Sequence, residues 1–200
     1  MITIVDYGVG NIGSLLNMFR RIGQEAELSA DPDRILSAER LILPGVGAFD
    51  VATKKLRAAD LDRAIIEFSR TGRPMLGICL GMQLLLDSSE EGTSSGLGLI
   101  PGTCERFDDS GDVRVPHMGW NQLDVRSPAA LLEDLPEDHR FYFVHSYHVV
   151  VSDARDELAR SNYGGEFTSM VNRENVTGAQ FHPEKSHAFG MQLLDRWSRA

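Results

Sequence analysis

Three short apolar runs, Ile2 to Val5, Leu41 to Leu43 and Met75 to Ile78, lack any polar–apolar alternation. That pattern belongs to strands buried on both faces. Each run is followed by glycine and then by a helical pattern. Ile12, Leu15, Leu16, Phe19 and Ile22 form one apolar stripe in 11–22, residues 56–68 carry another, and Gln83 to Leu86 resumes a helix after the third run. Pro44-Gly45 stops the second run, and Gly72-Arg73-Pro74 separates the 56–68 helix from the third. Strand and helix in alternation predict an α/β fold: a mostly parallel central sheet with helices on both faces. The second half reads as strands at 113–115, 122–126, 141–151, 157–163, 168–172 and 176–181, with turns at 108–112 and Gly164-Gly165. A closing helix over 187–199 carries Met191, Leu193, Leu194 and Trp197. The reading is one domain, 1–200, with a strand-rich C-terminal half.

Composition narrows the function. The chain has 20 basic and 29 acidic side chains, a formal charge of −9, and no basic cluster, which argues against a nucleic-acid partner. The most apolar window, 74–86, is interrupted by Gly77 and Gly81 and is shorter than the roughly 20 residues that span a bilayer. The N-terminus lacks the charged and apolar regions of a signal peptide. Two cysteines, Cys79 and Cys104, make no disulfide framework. A reducing cytoplasm is the expected compartment. At 200 residues the chain is too short for two complete catalytic domains.

Gly77-Ile78-Cys79-Leu80-Gly81 lies between a buried strand and a helix, the nucleophile-elbow pattern with cysteine at its centre. Side chains two residues either side of such a turn would clash, which accounts for both glycines. The turn aims sulfur at the helix N-terminus, whose positive end favours a thiolate. A buried inert cysteine is the alternative reading. In Phe181-His182-Pro183-Glu184, proline forces His182 into an extended conformation, and Glu184 can fold back on the other ring nitrogen. Cys79, His182 and Glu184 then form a nucleophile, base and orienting group. Pro44-Gly45-Val46-Gly47 can turn backbone N–H groups toward a developing oxyanion, with the Leu80 N–H as a second donor. An ordinary strand-end turn fits it as well.

Gly8-Val9-Gly10-Asn11-Ile12-Gly13 matches G-x-G-x-x-G after a strand, with Asp31 or Asp33 at the distance of a ribose ligand. A tight turn with no cofactor explains the same glycines. A metal site is not expected. His145 and His148 lie three apart in a strand pattern and should point to opposite faces, and there is no Cys-x-x-Cys.

Residues 77–83 together with Gln180-Phe181-His182-Pro183-Glu184-Lys185 resemble the class I, or triad, glutamine amidotransferases. Asp6 to Asn11, Pro44 to Gly47, Pro116 to Asn121 and Tyr142 to Tyr147 are similar to one branch of that family, the glutaminase subunits of imidazole glycerol phosphate synthases, over about residues 2–199. The resemblance implies a flavodoxin-like sheet and hydrolysis of L-glutamine to glutamate and ammonia, with no cofactor. Cys79 would be the nucleophile, His182 the base and acid, and Glu184 its orienting group. Gly45, Gly47, Leu80, Gln83, Glu91 and Ser146 would form the oxyanion and substrate sites; threonine is often found where this chain has Ser146. It also implies a cyclase partner, a (β/α)₈ barrel that receives the ammonia and forms imidazole glycerol phosphate and an aminoimidazole carboxamide ribotide in histidine biosynthesis. Tyr142 and Lys185 would lie at the channel mouth, and His117, Trp120 and Asn121 at the contact surface, unless Trp120 is simply buried. Another triad hydrolase, or a nucleotide-binding module built on the Gly8–Gly13 turn, remains the alternative.

Overall fold

The computed structural model describes residues 1–109 and 113–200. The N-terminal half runs β1 (Ile2–Val5), α1 (Ile12–Arg21), β2 (Ala26–Ser29), α2 (Pro32–Ser37), β3 (Arg40–Leu43), α3 (Phe49–Ala58), α4 (Leu61–Ser69), β4 (Met75–Ile78) and α5 (Leu80–Leu84). The rest comprises β5 (Ser88–Ser89), β6 (Gly102–Arg106), β7 (His117–Asn121), β8 (Asp124–Val125), β9 (Phe141–His145), β10 (Tyr147–Val151), β11 (Glu157–Asn162), β12 (Glu166–Arg173), β13 (Val176–Ala179) and α6 (His187–Arg199).

The main sheet has the order β2-β1-β3-β4-β13-β12-β10-β6-β5, with β11 and β8 attached off this path at β12. From β2 to β13 all neighbours are parallel; β12, β10 and β6 then pair antiparallel. The parallel half carries the buried runs, as the absence of alternation requires. One face packs Ile4, Ile42 and Leu76 against Leu15 and Phe19 of α1 and Leu193, Leu194 and Trp197 of α6. The other packs Leu41, Leu43 and Met75 against Phe49 and Leu56 of α3 and Ile65 and Phe68 of α4. Each such fully buried side chain contributes roughly 1.5–3 kcal/mol. Among the described residues no helix is long and apolar enough to cross a membrane.

Several sequence readings change. The 56–68 helix is two helices, broken where Asp60 adopts a left-handed conformation (φ +54°). The 141–151 strand is broken at Ser146: β9 pairs with β7 in a separate two-stranded sheet, whereas β10 joins the main sheet. Residues 113–115 form no strand, and 122–126 keeps only the two residues of β8. Strands β2, β5, β6 and β7 and helix α2 escaped the sequence pattern. Of the expected turn at 108–112, residues 110–112 lie outside the described residues.

Phe19 is fully buried between α1 and the sheet. Phe19→Ala lowers the unfolding free energy by about 3–5 kcal/mol in urea denaturation; a loss under about 1 kcal/mol would contradict this packing.

Candidate active site

Strand β4 ends at Ile78, and Cys79 turns the chain into α5 with φ +55° and ψ −112°, a strained conformation for a residue with a side chain. The turn is possible because its neighbours are glycines. A Cβ on Gly77 would lie 2.7 Å from the Gly81 carbonyl oxygen, and one on Gly81 would lie 1.9 Å from the Leu43 carbonyl oxygen. The Cys79 N–H donates to the Ala179 carbonyl at 2.8 Å, tying the elbow to β13. Helix α5 has only five residues, so its dipole is smaller than the sequence implied.

His182 follows β13 with extended backbone, as its proline requires. Its N–H donates to the Tyr142 carbonyl and its carbonyl accepts from the Ser186 hydroxyl, which clamps the residue on both sides. Nδ1 donates to Glu184 Oε1 at 2.8 Å, and both side chains are almost wholly buried. This bond puts the proton on Nδ1 in the neutral ring and leaves Nε2 directed at the thiol. Nε2 interacts with Cys79 yet has no partner within hydrogen-bonding geometry in the resting state. Burial, the largest influence, pulls the His182 pKa down, but Cys79 and Glu184 together outweigh it and hold it up at about 9. A cationic ring at this position favours negative charge on the sulfur it faces.

The Pro44–Gly47 turn packs directly on the elbow. A Cβ on Gly45 would meet the Gly81 nitrogen at 2.8 Å and the Tyr7 hydroxyl at 2.9 Å, and Gly47 has φ +96°. Tyr7, which the sequence did not single out, donates its hydroxyl to the Pro44 carbonyl at 2.6 Å and fixes the turn. Its own pKa is pushed up by burial and by the charge of Cys79.

A cavity of about 670 Å³ opens over these groups. Cys79, Leu80, Gly47, Gln83, Glu91, Ser146, His182 and Lys185 line it, whereas Gly45 lies beneath the wall. Glu91 is held by its Oε2, which accepts from the Phe49 N–H. Gly10 and Asn11 of the Gly8–Gly13 turn reach the same cavity. Gly8 and Gly10 have φ of +70° and +122°, the tight-turn conformation, and the Asp31 carboxylate is engaged in capping α2.

Three expectations need correction. His117 is not at the surface: alternation along β7 turns it inward, 3% exposed, stacked on Phe143 and Tyr163, and sends Met118 and Trp120 outward at 62% and 44%. Trp120, accordingly, is not a buried core residue. His145 and His148 do not diverge; both rings lie against Phe107, because the break at Ser146 resets the alternation. Among the described residues no group of His, Cys, Asp and Glu is arranged to hold a metal. Asn121 Nδ2 reaches His117 Nε2 at 3.5 Å, His117 Nδ1 reaches His145 Nε2 at 3.2 Å, and His145 Nδ1 reaches the Tyr147 carbonyl at 2.8 Å. A carbonyl only accepts, so His145 Nδ1 donates to it, and with both rings neutral every donor in this chain points inward. Burial agrees, drawing His117 down to about 4 and His145 to about 3. Tyr142 lies outside the cavity, beneath the Lys185 ammonium at 5.8 Å and beside Trp120 at 5.7 Å. Cys104 is fully buried and its thiol is pushed up by burial, the inert case.

The sequence model of the family "Glutamine amidotransferase class-I" matches residues 3–197. The chain is 50% identical over 195 residues to "Imidazole glycerol phosphate synthase subunit HisH 2" of Pseudomonas aeruginosa, covering 97% of this chain and 96% of that protein. It is 47% identical over 203 residues to subunit HisH of Sulfurimonas denitrificans, covering 100% and 98%. Among solved structures, PurLQS from Thermotoga maritima shares the fold at TM-score 0.76 and 21% identity, covering 99% of this chain and 97% of that one.

Because folding raises the His182 pKa from 6.5 to about 9, this group's contribution to stability is complete below pH 6.5 and is lost as pH rises through about 9. Imidazole NMR of the native chain is expected to give a His182 midpoint near 9. In Glu184→Gln the carboxylate is gone while burial and Cys79 remain, so the midpoint falls below that of the native chain. An unchanged midpoint would show that Glu184 does not act on the ring.

Proposed function

The chain belongs to the class-I glutamine amidotransferase family, and from that premise we propose that it is the glutaminase subunit of an imidazole glycerol phosphate synthase. The observation that carries the chemistry is the buried Glu184–His182 pair beside a strained, glycine-flanked Cys79 in a cavity large enough for an amino acid.

The Cys79 thiolate attacks the side-chain amide carbon of glutamine, forming the S–C bond and moving charge to the carbonyl oxygen. The Leu80 N–H and backbone N–H groups of the Gly45–Gly47 turn receive that oxyanion. His182 gives its Nε2 proton to the amide nitrogen, the C–N bond breaks, and ammonia leaves a thioester on Cys79. Water, deprotonated by His182, then hydrolyses the thioester to glutamate. Glu184 holds the ring and stabilises its cationic form, as an acid partner does in other triads. Gln83, Glu91 and the backbone around Ser146 hold the rest of the substrate. Free ammonia is protonated in water at pH 7 and loses its nucleophilicity, so release into a closed route to an acceptor is needed.

The acceptor is proposed to sit on a cyclase subunit. Met118 and Trp120 form an exposed apolar face, flanked by Tyr142, by Arg140 over the indole at 6.0 Å and by His187 stacked on it at 5.5 Å. Asn121 lies at the end of this strand, and Lys185 stands between the face and the cavity rim. No nucleic-acid or membrane partner is proposed, and the thiol chemistry suits a reducing cytoplasm.

Cys79→Ala should abolish glutamine-dependent synthesis by the two-subunit complex while leaving synthesis from added ammonium salt intact; retained glutaminase activity would sink the mechanism. The isolated chain should hydrolyse glutamine slowly, with acceleration on adding the cyclase subunit and its nucleotide substrate. In titration calorimetry, Trp120→Ala should weaken cyclase binding about tenfold or more. Unchanged affinity would remove this face from the interface.

A further inference from the structure

One buried polar group beside the nucleophile has no part in the steps above. Gln180 is completely buried, and its Nε2 lies 3.9 Å from Cys79 Sγ. Its position follows from the sheet: β13 and β4 run parallel with Ala179 opposite Ile78, so the next residue along each strand brings Gln180 beside Cys79. The Gln180 N–H donates to the Ser169 carbonyl, holding the backbone in place.

The side-chain amide has only one consistent orientation. Gln83 Nε2 lies 3.0 Å from the Tyr147 carbonyl and 3.1 Å from Gln180 Oε1. The Tyr147 carbonyl can only accept, so the NH₂ end of Gln83 faces it. The second N–H of that group then needs an acceptor, which fixes Gln180 with its oxygen toward Gln83. The Gln180 NH₂ group is thereby left facing sulfur. Reversing Gln180 would set its oxygen against the thiolate and its NH₂ against another NH₂.

We infer that Gln180 is a catalytic residue whose amide N–H donates to the Cys79 sulfur and favours its thiolate, and that Gln83 is the positioning residue that keeps this donor aimed. Hydrogen bonds to charged acceptors are the strong ones, and here water is excluded. A 3.9 Å contact suits a bulky, diffuse sulfur and shortens as negative charge collects there. The five-residue α5 leaves room for such a donor, since its dipole alone is a weak source of thiolate stabilisation. Gln83 keeps its own Oε1 for the cavity, so one side chain serves substrate and nucleophile from its two ends.

This inference rests on Cys79 being the nucleophile, and the test separates the two. Iodoacetamide is added to the full chain across pH, and mass spectrometry reads modification at Cys79, with buried Cys104 as the internal control. If the native protein loses glutaminase activity without modification at Cys79, the nucleophile assignment itself fails. If Cys79 is the modified residue, Gln180→Met, which keeps length and removes the donor, is expected to move the alkylation profile to higher pH. At neutral pH its rate should fall about ten- to hundredfold, with a similar fall in kcat and little change in KM for glutamine. A superimposable profile, or a loss confined to KM, would overturn the role of Gln180. Should Gln180→Met fail to fold, the side-chain amide resonance of Gln180 in the native chain decides the matter. It is expected to shift as the Cys79 thiol titrates, and an amide signal indifferent to that titration would overturn the inference.

Discussion

Between Gly81 and the carbonyl of Leu43 there is no space for a side chain, since a Cβ on the glycine would sit 1.9 Å from the oxygen. This contact draws the start of α5 onto the end of β3, and the geometry around it follows. With Gly77 equally closed against Gly81, the chain must turn sharply between them, and Cys79 takes a positive φ to do so. The same closeness brings Gly45 against the Gly81 nitrogen, so the turn after β3 and the first N–H groups of α5 face one space. The oxyanion site proposed above needs no dedicated side chain. It arises from two strand ends, those of β3 and β4, that cannot be moved apart without breaking the parallel sheet beneath them.

Charge at the site is arranged by contrast. His182 is buried, and with Glu184 and Cys79 around it remains cationic to about pH 9. His145 and His117, equally enclosed but offered only a carbonyl, an amide and each other, stay neutral. Burial acts on all three in the same direction; what differs is whether a negative partner is present to overcome it. One cation is thus held in a wall of neutral histidines. A second positive ring there would repel the imidazolium.

The break at Ser146 joins the site to the surface. Strand β9 pairs with β7 and β10 pairs with β6, and the carbonyl of Tyr147, the first residue of β10, lies just where the chain changes sheets. It accepts from Gln83 on one side and from His145 on the other, and the latter leads through His117 to Asn121 on β7. The strand that carries Met118 and Trp120 on its exposed face therefore carries, on its other face, the far end of a hydrogen-bonded chain that meets Gln83 at one carbonyl.

Local patterns in the sequence determined the elements and the chemistry that depend on adjacent residues. The unalternating runs gave β1, β3 and β4, the glycines around Cys79 gave the elbow, and His182-Pro183-Glu184 gave the proposed base and its orienting group two residues apart. The 56–68 pattern hid a break because Asp60, not glycine, takes the left-handed conformation, and the 141–151 run hid one because Ser146 is no turn signal. Only tertiary structure decided that His117 faces inward, that Trp120 faces out, and that Tyr7, Gln83 and Gln180 surround Cys79. Those placements depend on which strands pair and in what register. A shift of one residue reverses a side chain's face, and no spacing within a single segment records the register between two.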